Sequence, residues 1–398
     1  MGEVLVELQM SELKHMKRLL LILALSVPSI VSALANDGTF SASGNQLIPV
    51  KETEVSVKKE ILKLTRKGSE MIVDVYYEFY NPTSSPKTLL VGFEAPSPDN
   101  PDYVDEKLIY KQQPYISGFN VIMNGKKLKY DVAIVPLDES FKDGKPNALS
   151  AEKINQLKAV EDPEYYDFNY VYYFDAVFKP GVNVVKHTYE YRMSHSVDYQ
   201  FFFPYALTPA CRWANGQIDD FTLIVDMGAF ASYDIPATFF KQDDKWIIHG
   251  VGGLCYDSEY EEMMSYNVRS GYVEFKKKNF KPEGDLAVRR RNSPLPQCCP
   301  DAAVDLYLWE FRNLGFDYPE SWEEWWNEYE ITAEDARILK NIPFAYRGNV
   351  FKSADLKSYF EKAAWYFPDP SYVPDMNTLT PGEQKWVLYW TNYKPKAN

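Results

Sequence analysis

The residue types that most often carry out chemistry are sparse in this chain of 398 residues. Beyond the N-terminal region the only histidines are His187, His195 and His249. They do not form an H-x-x-x-H metal pair, and the sequence contains neither a G-x-S-x-G nucleophile motif nor a G-x-x-x-x-G-K phosphate loop. Because nucleophilic, metal and nucleotide chemistry usually need such patterns, the sequence predicts no catalytic residue, no metal site and no cofactor.

Carboxylates are the remaining source of acid and base. Glycoside hydrolases use two carboxylates as acid and base, and adjacent carboxylate pairs occur here at Asp219–Asp220 and Glu323–Glu324. Such pairs are common in a chain with 56 acidic residues, so they do not by themselves indicate a catalytic site. An envelope hydrolase with scattered carboxylates therefore stays as the alternative function, and a cleft with two facing carboxyl groups about 5–9 Å apart would favour it.

The cysteines are the other reactive group. The chain has four, at Cys211, Cys255, Cys298 and Cys299. No C-x-x-C spacing occurs, and the adjacent pair does not easily supply two ligands to a tetrahedral zinc ion. We expect structural disulfides or free thiols, and all three full pairings remain open.

The N-terminal region predicts export. A basic pair at 17–18 precedes an apolar run over 19–31, which ends in the Ala-Leu-Ala triplet at 33–35. These are the three parts of a secretory signal peptide, so we expect residues 1–35 to be removed, with translation starting at Met16. The run is shorter than the ~20 residues of a membrane helix. We therefore expect a periplasmic or extracellular protein without a membrane span.

Composition limits the partners. Acidic residues exceed Lys plus Arg by 56 to 43, which gives a formal net charge of −13. This charge argues against a nucleic acid or an anionic membrane surface as the main partner. Aromatic residues make up 16% of the chain, which fits a β-rich core as well as surfaces that stack on sugars or peptides.

Residues 36–284 have the pattern of a β-rich body. Short stretches of β-branched and aromatic residues alternate with turn signals, of which Asn124-Gly125 is the strongest hairpin signal. Pro180-Gly181 separates two further strand-like stretches in the same way. A single helix is predicted at 151–160, with Ser150 as its N-cap. The expected fold class is α+β, with one or two antiparallel sandwiches in the body.

The C-terminal part has a different pattern. Residues 285–304 contain three consecutive arginines and several prolines and are predicted to be a linker. Residues 305–398 are predicted to be a small all-α domain with an aromatic core, which we call the tail. Its helix starts are indicated by Thr332, Ser353 and Thr380, the last followed by Pro-Gly-Glu.

One segment of the tail carries a specific resemblance. Residues 341–353 read Asn-Ile-Pro-Phe-Ala-Tyr-Arg-Gly-Asn-Val-Phe-Lys-Ser, and Trp365-Tyr366 follow. Over residues 320–392 the chain resembles the YARHG domain, a small extracellular bacterial module named for a Tyr-Ala-Arg-His-Gly motif. Here Phe344, Tyr346 and Arg347 replace the Tyr, Arg and His of that motif, and its Gly, Phe, Trp and Tyr positions are kept. The resemblance implies an exported, cell-wall-associated protein and no particular reaction.

The body resembles, more loosely, a family of exported bacterial β-proteins of unknown function. The shared features are a Tyr-x-Phe-Tyr-Asn strand end at 77–81 and a segment at 205–225. This resemblance implies no activity. Together with the missing catalytic motifs, it favours a non-enzymatic envelope protein that binds cell wall, glycan or a protein partner.

The candidate ligand-binding residues are Tyr346, Arg347, Trp365 and Tyr366. A tyrosine ring beside a guanidinium can stack on a sugar or peptide and donate hydrogen bonds to a carboxylate. In the alternative interpretation, Tyr346 packs inward and Arg347 caps helix carbonyls or pairs with Asp335 or Glu361.

Overall fold

The computed structural model describes residues 47–49, 53–96, 113–136, 139–158, 168–195, 199–258, 262–291, 331–363 and 365–395. The predicted signal peptide, Cys298, Cys299, the Glu323–Glu324 pair and the first part of the predicted tail lie outside these residues. All described residues belong to one compact unit, which begins at Thr39. Within them, no helix is long and apolar enough to cross a membrane.

The body is built from strands. They are β1 Leu47–Pro49, β2 Ser56–Lys67, β3 Glu70–Asn81, β4 Lys87–Pro96, β5 Ile116–Met123, β6 Lys126–Lys127, β7 Asp131–Pro136, β8 Phe141–Lys142, β9 Lys145–Pro146, β10 Phe168–Phe178, β11 Gly181–Arg192, β12 Tyr199–Tyr205, β13 Ile218–Asp226, β14 Ala231–Pro236, β15 Trp246–Asp257, β16 Met263–Phe280 and β17 Leu286–Arg291. The helices are α1 Ala151–Lys158 in the body, then α2 Ala333–Tyr346, α3 Ala354–Phe360 and α4 Pro381–Asn392 in the tail.

Two sheets pack face to face in the body. The four-stranded sheet has the order β1-β4-β10-β7, and the eleven-stranded sheet has the order β12-β17-β14-β16-β13-β2-β3-β11-β5-β6, with β15 on β16. Rings from the two sheets meet in one core, as where Phe93 of β4 lies 5.2 Å from Phe119 of β5. Alternating burial along β3 and β11 supplies the apolar face that this packing needs. The predicted sandwich-type body with an all-α tail is thus confirmed.

The local turn predictions had mixed outcomes. Asn124 and Gly125 both have positive φ and join β5 to β6, as predicted for a hairpin. Pro180-Gly181 does not form a hairpin, because β10 and β11 lie in different sheets. The side chain of Asn183 instead bonds the backbone of Lys179 at both its N–H and its carbonyl, which turns the chain from one sheet to the other.

The sheet also departs from a purely antiparallel one. Strand β13 runs parallel to β2, with Ile218 opposite Val57. A parallel pair requires a long connection. The chain provides it, because β3 to β12 lie between the two strands in the sequence.

The predicted linker at 285–304 is wrong in its first part. Strand β17 pairs antiparallel with β12, and its Leu286 and Val288 are buried. Arg289 is buried as well, with its guanidinium 5.5 Å from the ring of Tyr199. The three arginines suggested a solvated segment, whereas two apolar side chains on one face fix this stretch in the sheet.

Helix-start signals in the tail were largely correct. Thr332 and Asp335 form a reciprocal capping box at α2, and Thr380 and Glu383 form one at α4. Ser353 stands at the N-cap position of α3 but its side chain makes no capping hydrogen bond. The three helices bury an aromatic core that includes Phe360, Trp386 and Trp390.

Candidate functional site

The YARHG-like segment ends helix α2. The N–H of Gly348 donates to the carbonyl of Ala345 at 2.9 Å, and that of Asn349 donates to Phe344 at 3.0 Å. These two bonds form a Schellman motif, in which the residue after the C-cap takes a left-handed conformation. Gly348 does so, with φ of +90°. A Cβ at this position would lie 2.3 Å from Nη1 of Arg269. Both the left-handed backbone and the lack of room for a side chain therefore require glycine here.

Arg347 is committed to an ion pair inside the tail. Its guanidinium donates to both carboxylate oxygens of Glu383, at 3.0 and 2.7 Å, and to the carbonyl of Pro343 at 2.8 Å. Glu383 is only 1% exposed. The partners suggested from sequence, Asp335 and Glu361, were wrong, because α4 brings its first turn to the end of α2.

Tyr346 packs inward, as in the alternative interpretation. Its ring stacks on Trp365 at 4.6 Å and 20°, and it is 5.5 Å from the ring of Phe230 in the body. Tyr366 lies in the tail core beside Phe351, and its hydroxyl donates to the carbonyl of Asn349 at 2.7 Å. Of the four candidate residues, the structure therefore brings Tyr346 and Trp365 together and directs the other two into the tail.

Tyr346 and Trp365 line a shallow cleft between body and tail. The space along it is about 190 Å³, which includes open solvent and is not an enclosed cavity. The body side comes from the start of β14 and the middle of β16, and the tail side from the end of α2 and the segment after α3. The lining residues are Phe230, Ala231, Ser232, Asn267, Val268, Arg269, Tyr346, Trp365 and Phe367. None of these nine residues carries a carboxylate.

Phe230 is held in a strained conformation at the edge of the cleft. Its φ is +57°, a left-handed value that a bulky side chain rarely adopts. Its backbone N–H donates to the carbonyl of Arg269 at 3.1 Å, which fixes the residue against β16. Strain of this kind concentrates at ligand sites, where a side chain must point in a required direction. Here it directs the ring of Phe230 towards Tyr346.

Arg269 connects the two sides of the cleft. Its Nη1 donates to the carbonyl of Phe367 at 2.7 Å and lies 3.5 Å from that of Arg347. Its Nη2 is 3.6 Å from the carboxylate of Asp369. Hydrogen bonds from Ser371, together with the charge of Arg269, lower the pKa of Asp369, which is therefore ionised. The guanidinium charge in the cleft is thus balanced locally.

The body side of the cleft supplies neutral polar groups. The hydroxyl of Ser232 donates to Oδ1 of Asn267 at 2.7 Å across the β14–β16 pair. The amide Nδ2 of Asn267 has no protein partner among the described residues. The cleft therefore combines aromatic rings with a hydrogen-bond donor that can be directed at a ligand.

The carboxylate pair at 219–220 has a different role. Hydrogen bonds from Lys58, Gln217 and Asn215 outweigh the effect of burial and lower the pKa of Asp219. Asp220 forms an ion pair with Lys278 at 2.8 Å. Both carboxylates therefore hold neighbouring strands together. Among the described residues, no three His, Cys, Asp or Glu are grouped so as to hold a metal ion.

The two described cysteines are both free thiols. Cys211 is half-buried, with its sulfur 3.8 Å from the carbonyl of Pro282, and burial raises the pKa of its thiol. Cys255 is exposed on β15. The expected disulfides stay a prediction, since Cys298 and Cys299 lie outside the described residues.

Sequence reasoning missed the body residues of the cleft. Phe230, Ser232, Asn267 and Arg269 belong to β14 and β16, and they follow no motif in the sequence. The one local signal is Gly228, whose φ of +83° begins the tight turn before β14. That glycine predicts a turn and gives no indication of the left-handed Phe230.

The chain was compared with known proteins. A search of curated proteins gave no match. Among solved structures, a "putative nutrient binding protein" from Legionella pneumophila is 17% identical with a TM-score of 0.46, covering 88% of this chain and 97% of that one. Yeast LTA4 hydrolase in complex with bestatin is 8% identical with a TM-score of 0.26, covering 60% of this chain and 29% of the hydrolase. At these values neither similarity carries a function to this chain.

Two family models match parts of the chain. Residues 35–143 match a domain of unknown function (DUF4424). That range includes the strand end at 77–81 and leaves out the segment at 205–225. Residues 329–394 match the YARHG domain, which confirms the resemblance predicted for the tail.

Proposed function

We propose that the chain is an exported binding protein of the bacterial cell envelope, without catalytic activity, whose ligand occupies the cleft between body and tail. One observation carries this proposal: Phe230 of the body and Tyr346 and Trp365 of the tail form a continuous row of rings along the cleft. A site that both parts build is a reason for the chain to combine them.

The strain at Phe230 supports a ligand role for this row. If packing were the only requirement, a glycine at this φ would avoid the steric cost. This chain has an aromatic ring at that position, and the ring lines the open cleft. The absence of Asp and Glu from the nine lining residues leaves the hydrolase alternative without support at this site.

Export is supported by the N-terminal pattern and by the YARHG match. Sequencing the N-terminus of the protein recovered from the native envelope tests this part. We expect the mature chain to begin at Asn36. A mature N-terminus before the apolar run at 19–31 would contradict export through a cleaved signal peptide.

Binding is tested with the full mature chain and isolated envelope material in a sedimentation assay. We expect the wild-type chain to sediment with the envelope. Phe230→Gly should lose this retention and still fold, because glycine relieves the left-handed strain while removing the ring. The matched control is Asp143→Gly, which relieves a positive φ of 51° in the β8–β9 hairpin, outside the cleft.

Two results would overturn the proposal. One is a wild-type chain that does not sediment with any envelope fraction. The other is a Phe230→Gly variant that is retained as well as the Asp143→Gly control, with both melting near the wild-type temperature.

A further inference from the structure

We infer that the ligand of this cleft is a single uncharged sugar ring, an inference that rests on the proposed function. The openness of the cleft gives the first argument. Its space of about 190 Å³ includes open solvent, so a bound ligand is not enclosed. Such a ligand lies against the aromatic row and keeps part of its surface in water. A sugar ring can bind in this way, because its rim carries hydroxyl groups that water also hydrates.

The aromatic row matches the shape of a sugar. A pyranose presents C–H groups on its faces and hydroxyl groups around its rim. The faces suit an aromatic surface such as Trp365, which is half-buried and stacked on Tyr346 on one side. The rim suits the polar groups that line the body side of the cleft.

The hydrogen-bond donor on the body side of the cleft suits an uncharged acceptor group on the ligand. Nδ2 of Asn267 can donate to a hydroxyl or to an acetamido carbonyl, while Oδ1 is already bonded to Ser232. Two residues away on the same strand, Ser265 bonds Asp234 in the same geometry at 2.7 Å but does not line the cleft. The strand pair therefore offers an internal control for the Asn267 contact.

The charges exclude the other ligands that aromatic rings favour. A quaternary ammonium group binds against several open ring faces, but here Tyr346 and Trp365 stack on each other and none of the nine lining residues supplies a negative charge. An anionic ligand would have to compete with Asp369 for that guanidinium. A polyanionic glycan would also be repelled by the net charge of −13.

The test is a titration of the full mature chain with small-molecule probes, in which calorimetry or ligand-observed NMR measures binding. The probes are N-acetylglucosamine and glucose, with galacturonate and choline chloride as charged comparisons. We expect the two uncharged sugars to bind and the charged probes not to bind, and the stronger of the two sugars indicates the glycan source. Asn267→Ala should weaken sugar binding about three- to tenfold, the cost of one hydrogen bond. Ser265→Ala should leave it unchanged.

The sedimentation assay distinguishes a failure of the sugar assignment from a failure of the proposed binding function. Retention on the envelope that a large excess of both sugars fails to release would overturn the sugar assignment and leave the proposed binding function standing. Binding of choline or galacturonate in preference to the sugars would overturn it as well. A chain without any envelope retention would instead overturn the proposed function itself.

Discussion

The indole Nε1 of Trp386 in α4 donates a hydrogen bond to the backbone carbonyl of Leu339 in α2, at 2.7 Å. In a regular helix that carbonyl would accept from the N–H of residue 343, four positions later. Residue 343 is a proline, which has no N–H, and it lies inside α2. A tryptophan from another helix therefore replaces the hydrogen bond that the proline removes.

Trp386→Phe should destabilise the chain by more than its lost packing. It leaves a buried carbonyl unsatisfied, at a cost of about 1–3 kcal/mol. In a Pro343→Ala background the helix supplies its own N–H, so the same substitution should cost about 1 kcal/mol less. Denaturant unfolding of the four chains in this double-mutant cycle measures the difference. Equal losses in the two backgrounds would contradict the role assigned to Trp386.

The ion pair between Arg347 and Glu383 predicts a large loss when one charge is removed. Arg347→Gln leaves the carboxylate of Glu383 buried without its partner, which costs about 3–5 kcal/mol in comparable pairs. Arg337 on the same helix is a matched control, because its pair with Asp355 is exposed. We expect Arg337→Gln to change the free energy of unfolding by less than about 1 kcal/mol. If Arg347→Gln lowered the free energy of unfolding no more than Arg337→Gln does, Arg347 would not have the structural role assigned to it.

Gly348→Ala should be far more damaging than an ordinary substitution at positive φ. The added Cβ would lie 2.8 Å from the carbonyl oxygen of Phe367 and closer still to Arg269. Gly68 in the β2–β3 turn also has positive φ, at +64°, but a Cβ there meets no atom within 4 Å. We expect about 1 kcal/mol of destabilisation for Gly68→Ala from the left-handed conformation alone.

The additional destabilisation expected for Gly348→Ala, compared with Gly68→Ala, should loosen the contact between body and tail. Hydrogen exchange of the amides over 365–369 should accelerate in Gly348→Ala and stay unchanged in Gly68→Ala. Unchanged exchange in both variants, with equal melting temperatures, would contradict the steric argument.

The elements of the tail could be predicted from the sequence because their signals are local. Thr380-Pro-Gly-Glu gives an N-cap, a first-turn proline and a capping carboxylate within four residues. The second role of Glu383 could not be predicted in this way. Its pairing with Arg347 depends on how α4 crosses the end of α2, and 36 residues separate the two partners.

The same distinction explains the errors in the body. A turn signal such as Pro180-Gly181 indicates that the chain reverses, but the strands that it joins are placed by their packing partners in two sheets. The arginine run at 289–291 indicates a solvated linker in the sequence, and the apolar alternation of β17 is too short to predict a strand against that signal. The cleft depends on contacts between β16 and the tail, such as Arg269 to Phe367, which 98 residues separate.

His187 is fully buried between the two sheets of the body. Its ring lies 4.8 Å from Phe119 and 5.1 Å from Phe93, and Nδ1 is 3.3 Å from the carbonyl of Asn120. Nε2 has no hydrogen-bond partner among the described residues. Burial lowers the pKa of His187 from 6.5 to about 4, so the folded chain keeps the ring neutral.

The sign of the pH effect follows from this lowered pKa. As the pH falls below 6.5 the unfolded chain takes up a proton that the folded chain refuses until about pH 4. The free energy of unfolding should therefore fall by about 3 kcal/mol across this interval, in addition to the effect of the carboxylates. In His187→Phe, which fills the same aromatic site without a titrating group, this part of the slope should vanish. Urea unfolding of both chains between pH 7.5 and about pH 4 measures it. Parallel stability curves for wild type and variant would show that His187 does not contribute to the pH dependence.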